Sequence, residues 1–245
     1  MFVVRIAGLN VKIKNKYRYL RRHCKNYIIN TNKIDFTISA TQKEIKKTKE
    51  NAEEDFSLGY CESACIYQKI CEKMIDYNRF FFHSSVVEVN GETFAFSARS
   101  GVGKSTQTKL WMEHFKDKCR VINGDKPLYE IKNNKLYAYG VPWCGKENYN
   151  INTKVELNNI CFLKRSETNK IRRLEKEEIL DYIFEQVIFF IPKEKAEKLL
   201  TMLDFIIENI PCYLLECNIS DEAVTIAHNA MSKGGQHETK KRSSN

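Results

Sequence analysis

No stretch of this 245-residue chain approaches the roughly 20 consecutive apolar residues that a membrane-crossing helix needs, so no transmembrane span is expected. Nothing at the start reads as a targeting segment either, because the short apolar opening gives way to Asn10 and Lys12. The nine cysteines are odd in number and lack paired metal spacing: Cys61, Cys65 and Cys71 stand four and then six residues apart, and Cys144 stands alone. They are expected to be reduced thiols of a cytoplasmic protein. Internal repeats and low-complexity blocks are missing, which removes solenoids and fibrous assemblies. Acid is scarce in the first 50 residues, where 13 Lys or Arg face 3 Asp or Glu, a surplus of +10. Such a unit suits an acidic protein or peptide, or it is simply a solvated face. Zinc-finger spacing, RNA-recognition motifs and zipper heptads do not accompany the charge, which makes nucleic acid the lesser reading.

Against these absences stands one segment, residues 97–105, Ser-Ala-Arg-Ser-Gly-Val-Gly-Lys-Ser. Ala98, Gly103, Lys104 and Ser105 fit a phosphate-binding loop with Ala in place of its first Gly. Gly101 and Gly103 permit backbone angles that turn successive N–H groups inward, Lys104 offers a point charge for phosphate oxygens, and the Ser105 hydroxyl suits Mg²⁺. Such a loop needs a strand before it and a helix after it. Glu92-Thr-Phe-Ala-Phe-Ser97 alternates large and small residues with period two, and residues 105–115 form a proline-free stretch with Leu110, Trp111, Met112 and Phe115. The nucleotide set is therefore Ala98, Arg99, Ser100, Gly101, Val102, Gly103, Lys104, Ser105 and Thr106, with Arg99 either adding charge or pointing to solvent.

Upstream, residues 80–89 form a second apolar run, separated from the first by Asn90-Gly91, the dipeptide most suited to a two-residue hairpin turn. That turn pairs Val89 with Glu92, Val87 with Phe94 and His83 with Ala98, which puts His83 at the mouth of the loop. The imidazole there either relays a proton or merely ends a strand. Downstream, Cys119-Arg-Val-Ile-Asn-Gly-Asp125 reads as a strand parallel to and close beside the first, its carboxyl end at the phosphate site. Asp125 sits at that end, placed to hold Mg²⁺ or to accept the proton of an attacking hydroxyl.

The set formed by His83, Lys104 of the loop 21 positions on and the Ile-Asn-Gly-Asp segment about 20 further on resembles the kinase domain of HPr kinase/phosphorylase, which shares a core with ATP-dependent phosphoenolpyruvate carboxykinase. The resemblance covers residues 80–162 and extends more loosely through the last third. It implies that Lys104 binds the β- and γ-phosphates, that Ser105 and Asp125 serve the metal, that Asp125 also acts as base, and that His83 lies near the transferred phosphate. Two positions depart from the pattern. Thr106 stands where HPr kinases carry an acidic residue, and Gly124-Asp125 stands where they carry two aspartates, so one carboxylate must do what two share. A group of small stand-alone relatives with Asn-Gly-Asp-Lys-Pro and Pro-Trp-x-Gly-Lys segments is closer. These imply transfer from ATP, with Mg²⁺, to a serine hydroxyl of a protein, a peptide or a small molecule, and leave homo-oligomer assembly open. The rival expectation is an ATP-binding sensing module that has lost catalysis and recruits a protein partner.

The Pro-Trp segment is Gly140-Val-Pro-Trp-Cys-Gly-Lys-Glu147, after a hairpin expected to turn at Asn133-Asn134. Trp143 reads as buried, and Lys146 faces either the site or solvent. The expected fold is α/β: a small basic N-terminal α/β unit over residues 1–77, a P-loop kinase domain with a mixed sheet over 78–235, and a mobile polar tail over 236–245. In the first unit, strands are expected at Phe2-Val-Val-Arg-Ile, Val11-Lys-Ile-Lys and Asp35-Phe-Thr-Ile-Ser39, with the first two turning around Gly8-Leu-Asn10. Residues 41–53 read as an exposed helix or loop, and 60–77 as a helix burying Cys61, Ala64, Cys65, Ile66, Ile70, Met74 and Tyr77. Later helices are expected over 176–190, 193–209 and after Ser220, with strands at Ile160-Cys-Phe-Leu163, 171–174 and Cys212-Tyr-Leu-Leu-Glu216.

Overall fold

The computed structural model describes residues 1–187 and 191–232. In chain order the elements are β1 (Phe2–Ile6), β2 (Leu9–Lys14), α1 (Arg18–His23), β3 (Ile28–Ile29), β4 (Phe36–Ser39), α2 (Gln42–Glu50) and α3 (Leu58–Met74). There follow β5 (Arg79–Phe81), β6 (Ser84–Val89), β7 (Glu92–Ser97), α4 (Lys104–Phe115), β8 (Cys119–Asn123), β9 (Leu128–Lys132), β10 (Lys135–Tyr139) and β11 (Lys154–Glu156). The last part contributes β12 (Asn159–Arg165), β13 (Lys170–Arg173), α5 (Lys176–Phe184), α6 (Lys193–Asn209), β14 (Cys212–Cys217) and α7 (Asp221–Met231). The fold is mixed α/β with three sheets, ordered β3-β1-β2-β4, β11-β10-β9-β5 and β13-β14-β12-β7-β6-β8.

Period-two alternation explains the layering. In the six-stranded sheet Phe94, Phe96, Cys161 and Leu215 point to a core shared with Trp111 of α4 and Val224 of α7. Their neighbours Ala95, Ile160, Phe162 and Leu214 point to the opposite core, closed by α5 and α6. The middle sheet divides its residues in the same way, Tyr129, Leu136 and Ala138 entering that second core and Leu128 and Tyr139 a third one. The third core belongs to the N-terminal sheet and α3, and also takes in Val141 and Trp143. Helices and sheets thus pack as layers that each bury one face of a strand.

Local signals hold in several places. Asn90 and Gly91 turn the β6–β7 hairpin in the expected register, Asn133 and Asn134 turn β9 into β10 with φ of 51° and 58°, and α6 spans Lys193–Asn209. The Ser220 hydroxyl caps α7 by accepting from the Ala223 N–H. Other expectations need correction. The first hairpin turns at Ala7-Gly8 alone, since Ile6 pairs with Leu9. Ala64 is exposed, because the helix buries Glu62 and Ser63 instead, whose polar groups bind the chain elsewhere. The helix of 176–190 ends at Phe184, with residues 188–190 outside the described residues, as is the tail of 236–245.

Two corrections bear on the site. Residues 80–89 are not one strand: Arg79–Phe81 pairs with β9 in the middle sheet, and the chain crosses at Phe82 and His83 before β6 begins. His83 therefore has no ladder partner, and the expected pairing with Ala98 stops one residue short, at Ser84 with Ser97. Nor is β8 next to β7. It runs parallel to β7, but β6 lies between them, antiparallel to both.

Candidate functional site

That order brings three chain segments out at the same end of neighbouring strands of the sheet. The loop after Ser97 leaves the end of β7, His83 precedes the start of β6, and Asp125 follows the end of β8. His83 Nε2 lies 2.9 Å from Asp125 Oδ1, and the Lys126 ammonium pairs with Oδ2. The His83 backbone is fixed on both sides: its N–H donates to Gln186 O at 2.8 Å and its carbonyl accepts from the Ser97 hydroxyl at 2.8 Å. Burial pushes the Asp125 carboxyl up, but the His83 hydrogen bond and the Lys126 charge outweigh it and hold the group well below the usual carboxylate range.

The turn carrying Asp125 is held by Asn123, a residue that sequence reading passed over. Its Oδ1 accepts from the N–H groups of Asp125 at 3.0 Å and Lys126 at 2.7 Å, and its Nδ2 donates to Val141 O and Trp143 O, each at 3.1 Å. The signal was present in Asn-Gly-Asp, since an Asn side chain that bonds the backbone two residues on is the ordinary Asx turn. Tyr67 of α3 donates to Lys126 O at 2.7 Å, and Trp143 stacks on Tyr67 with ring centroids 4.6 Å apart. Gly145, at φ +83°, sits where a Cβ would meet Asp125 Cβ at 3.0 Å, so the Pro-Trp loop closes tightly over the carboxylate.

The loop of 98–103 runs from β7 into α4, with Gly101 and Gly103 at φ of 79° and 139° and open space where their Cβ atoms would be. Helix α4 has neither a side-chain cap nor an acidic residue in its first turn, whereas Thr41, Ser57 and Ser220 cap α2, α3 and α7. Its first amides are left free for an anion. Lys104 is buried, and its ammonium donates to Ala98 O at 2.9 Å. Burial lowers its pKa, against the pull of Asp125, which raises it.

Ser105 and Asp125 line one cleft of about 780 Å³, together with Lys126, Trp143 and Lys146. Thr106 faces the other way, into a cleft of about 450 Å³ between α4 and the carboxyl ends of β12 and β14. A third cleft, of about 490 Å³, contains Ala98, Arg99 and Glu185. Arg99 is turned to Glu185, with Nε 2.8 Å from Oε2, and Ser100 is exposed. Arg165 grips the loop from β12, its guanidinium donating to Gly101 O and to Val102 O, the latter at 3.1 Å. This contact spans more than 60 residues and leaves no local trace in the sequence. Among the described residues no group of three or more His, Cys, Asp or Glu gathers at a metal-binding distance, all nine cysteines are free thiols, and no helix is long and apolar enough to cross a membrane.

No model of a known protein family matches the chain, and no curated protein matches it. Among solved structures, the Hpr(Ser) kinase/phosphatase from Coxiella burnetii is similar at 10% identity with a TM-score of 0.36, over 67% of this chain and 99% of that one. This is a distant likeness of fold.

Proposed function

We propose that the chain is a phosphotransferase that moves the γ-phosphate of ATP, with Mg²⁺, to a hydroxyl acceptor. The observation that carries this reading is the meeting of Asp125, hydrogen-bonded to His83, with Ser105 in one cleft at the start of an uncapped helix. The donor set fits the metal. A serine hydroxyl and one carboxylate are hard oxygen ligands, and Mg²⁺ in nucleotide sites commonly uses one or two protein oxygens, completing its shell with phosphate and water. When bound there, the ion would neutralise charge on the β- and γ-phosphate oxygens.

The residues divide the remaining work. The first amides of α4 and the Lys104 ammonium hold the phosphates, the lysine leaving Ala98 O to do so. In the transfer the bond from the γ-phosphorus to the β-bridging oxygen breaks, ADP departs with the electron pair, and the acceptor oxygen bonds to phosphorus. The acceptor proton passes to Asp125. In a loose transition state the hydroxyl keeps its proton until late, so little basicity is asked of that carboxylate. Its tighter duty is orientation, for which His83 fixes Oδ1, while the Lys126 ammonium would yield Oδ2 to a bound metal.

The test is transfer of labelled γ-phosphate from ATP into a cell extract, with macromolecules and small molecules separated, for the native chain and Asp125→Asn. The expected outcome is label that depends on Asp125, with turnover down on the order of 10³-fold in the variant and ATP binding largely spared. ATP binding without any Asp125-dependent label would instead support the sensing module, in which the paired carboxylate has only a structural duty.

A further inference from the structure

The cleft of about 780 Å³ that Asp125 shares with Ser105 is walled by aromatic rings. Tyr19 stacks with His23 at 5.8 Å, His23 meets Trp143 edge-on at 5.8 Å, Trp143 stacks on Tyr67, and Tyr67 meets Phe81 at 6.1 Å. Phe81 in turn stacks with His83 at 6.3 Å, so rings in contact run from α1 to the partner of Asp125. Tyr60, beside Tyr19, is 41% exposed, and His23 Nε2 is shielded from solvent without a hydrogen-bond partner. The rings with exposed surface are Tyr60 and, in part, Tyr19, His23 and Phe81, and these gain from apolar surface laid on them, Trp143 and Tyr67 being buried. The volume lies in the upper part of the roughly 300–1,000 Å³ typical of sites for molecules much larger than an amino acid.

Positive charge stands beside the cleft-lining face of α1. Tyr19 and His23 are one helical turn apart on α1 and both line the cleft. At about 100° per residue, Arg18 and Arg22 fall on one flank of that pair, whereas Arg21 falls behind it, and its guanidinium lies over the Phe2 ring at 5.5 Å. Arg18 and Arg22 are exposed and have no acidic partner among the described residues. Lys146, which also lines the cleft, has its side chain 92% exposed and pairs with Glu54 at 3.7 Å, and the neighbouring carboxylate of Glu147 pairs with Lys109 at 3.9 Å.

We propose that the N-terminal unit reads the acceptor: the ring-walled cleft takes a polypeptide segment whose accepting hydroxyl stands beside a large apolar side chain, with acidic residues running out past Arg18 and Arg22. The proposal rests on the phosphotransfer reading above, and it gives the surplus of positive charge in the first 50 residues a place and a task.

Equilibrium binding of synthetic serine peptides to the full chain, read by fluorescence anisotropy, tests it without turnover. The peptides carry Phe or Ala beside the serine and glutamates or lysines beyond it. The Phe peptide with glutamates is expected to bind about tenfold or more tighter than either the Ala or the lysine counterpart, with the charge preference shrinking as salt rises. Arg18→Glu with Arg22→Glu is expected to reverse the charge preference, and Arg21→Glu to leave it unchanged. Equal binding of all peptides, or a preference indifferent to the Arg18 and Arg22 reversal, overturns the proposal. So does Asp125-dependent transfer to free serine as efficient as transfer to the best peptide. Selective binding with no transfer to any acceptor would remove the phosphotransfer reading and leave the recognition surface standing.

Discussion

Asp125 and Glu130 are five residues apart, and both are carboxylates held below their ordinary range by basic neighbours. Glu130 lies inside the middle sheet, where Arg79 pairs with Oε1 at 2.7 Å, and Lys154 and the Tyr139 hydroxyl reach Oε2 at 2.7 and 2.6 Å. Its side chain is 7% exposed and opens on none of the three large clefts. Asp125 has His83 and Lys126, is 21% exposed, and faces the space in which Ser105 stands. A depressed pKa therefore marks both a structural junction and a candidate site. Access separates them: one carboxylate has its partners on every side, and the other leaves a flank open to a ligand.

The largest contrast comes from neutralising each carboxylate in turn. Glu130→Gln leaves the half-buried Arg79 and the more exposed Lys154 facing an amide and is expected to cost about 2–3 kcal/mol in unfolding free energy, with turnover per folded molecule unchanged. Asp125→Asn is expected to act chiefly on turnover, lowering transfer on the order of 10³-fold at a cost in stability of about 1–2 kcal/mol from the lost interactions with His83 and Lys126. Urea unfolding beside a transfer assay reads both, and a Glu130→Gln protein that is stable but inactive would collapse the distinction. A smaller effect is expected from Asn123→Ala, which strips four hydrogen bonds from the Asp125 turn and the Pro-Trp loop. About 2 kcal/mol of stability and about tenfold in turnover should go together, measured on the same preparation.

The smallest is a change of slope with pH. Because Glu130 titrates lower in the folded chain than its ordinary value of 4.5, its contribution is present above that pH and is lost as pH falls towards the folded value. Stability curves of the native chain and Glu130→Gln, taken from urea midpoints, should draw together below pH 4.5. Parallel curves would mean that the Glu130 cluster adds no pH-dependent stability.

What the sequence made legible was local. Asn90-Gly91 fixed a register, Asn133-Asn134 a second hairpin, and Ser220 a helix start, because turn and cap chemistry is decided within a few residues. The strand, loop and helix around Lys104 were readable for the same reason, as was Asp125 at the end of β8. The insertion of β6 between β7 and β8 was not, since strand order depends on contacts between distant segments. Apolar residues on both sides of His83-Ser84-Ser85 made residues 80–89 read as one strand and hid the crossing at Phe82 and His83, because a residue buried between two sheets looks like one inside a strand. Arg165, Tyr67 and the ring wall escaped for want of any spacing that relates α1, α3 and β12 to the loop.

The intervening strand has one more consequence. Neighbouring strands stand about 4.8 Å apart, so β7 and β8, two places apart, hold the loop and the Asp125 turn on rails about 10 Å apart. Under the proposed reading that gap is a gauge. A phosphate chain hung from the start of α4 must extend across the width of β6 before its last group comes level with the carboxylate. The hairpin turned by Asn90-Gly91, at the far end of the sheet, thereby sets how long a donor must be to reach the place where it is used.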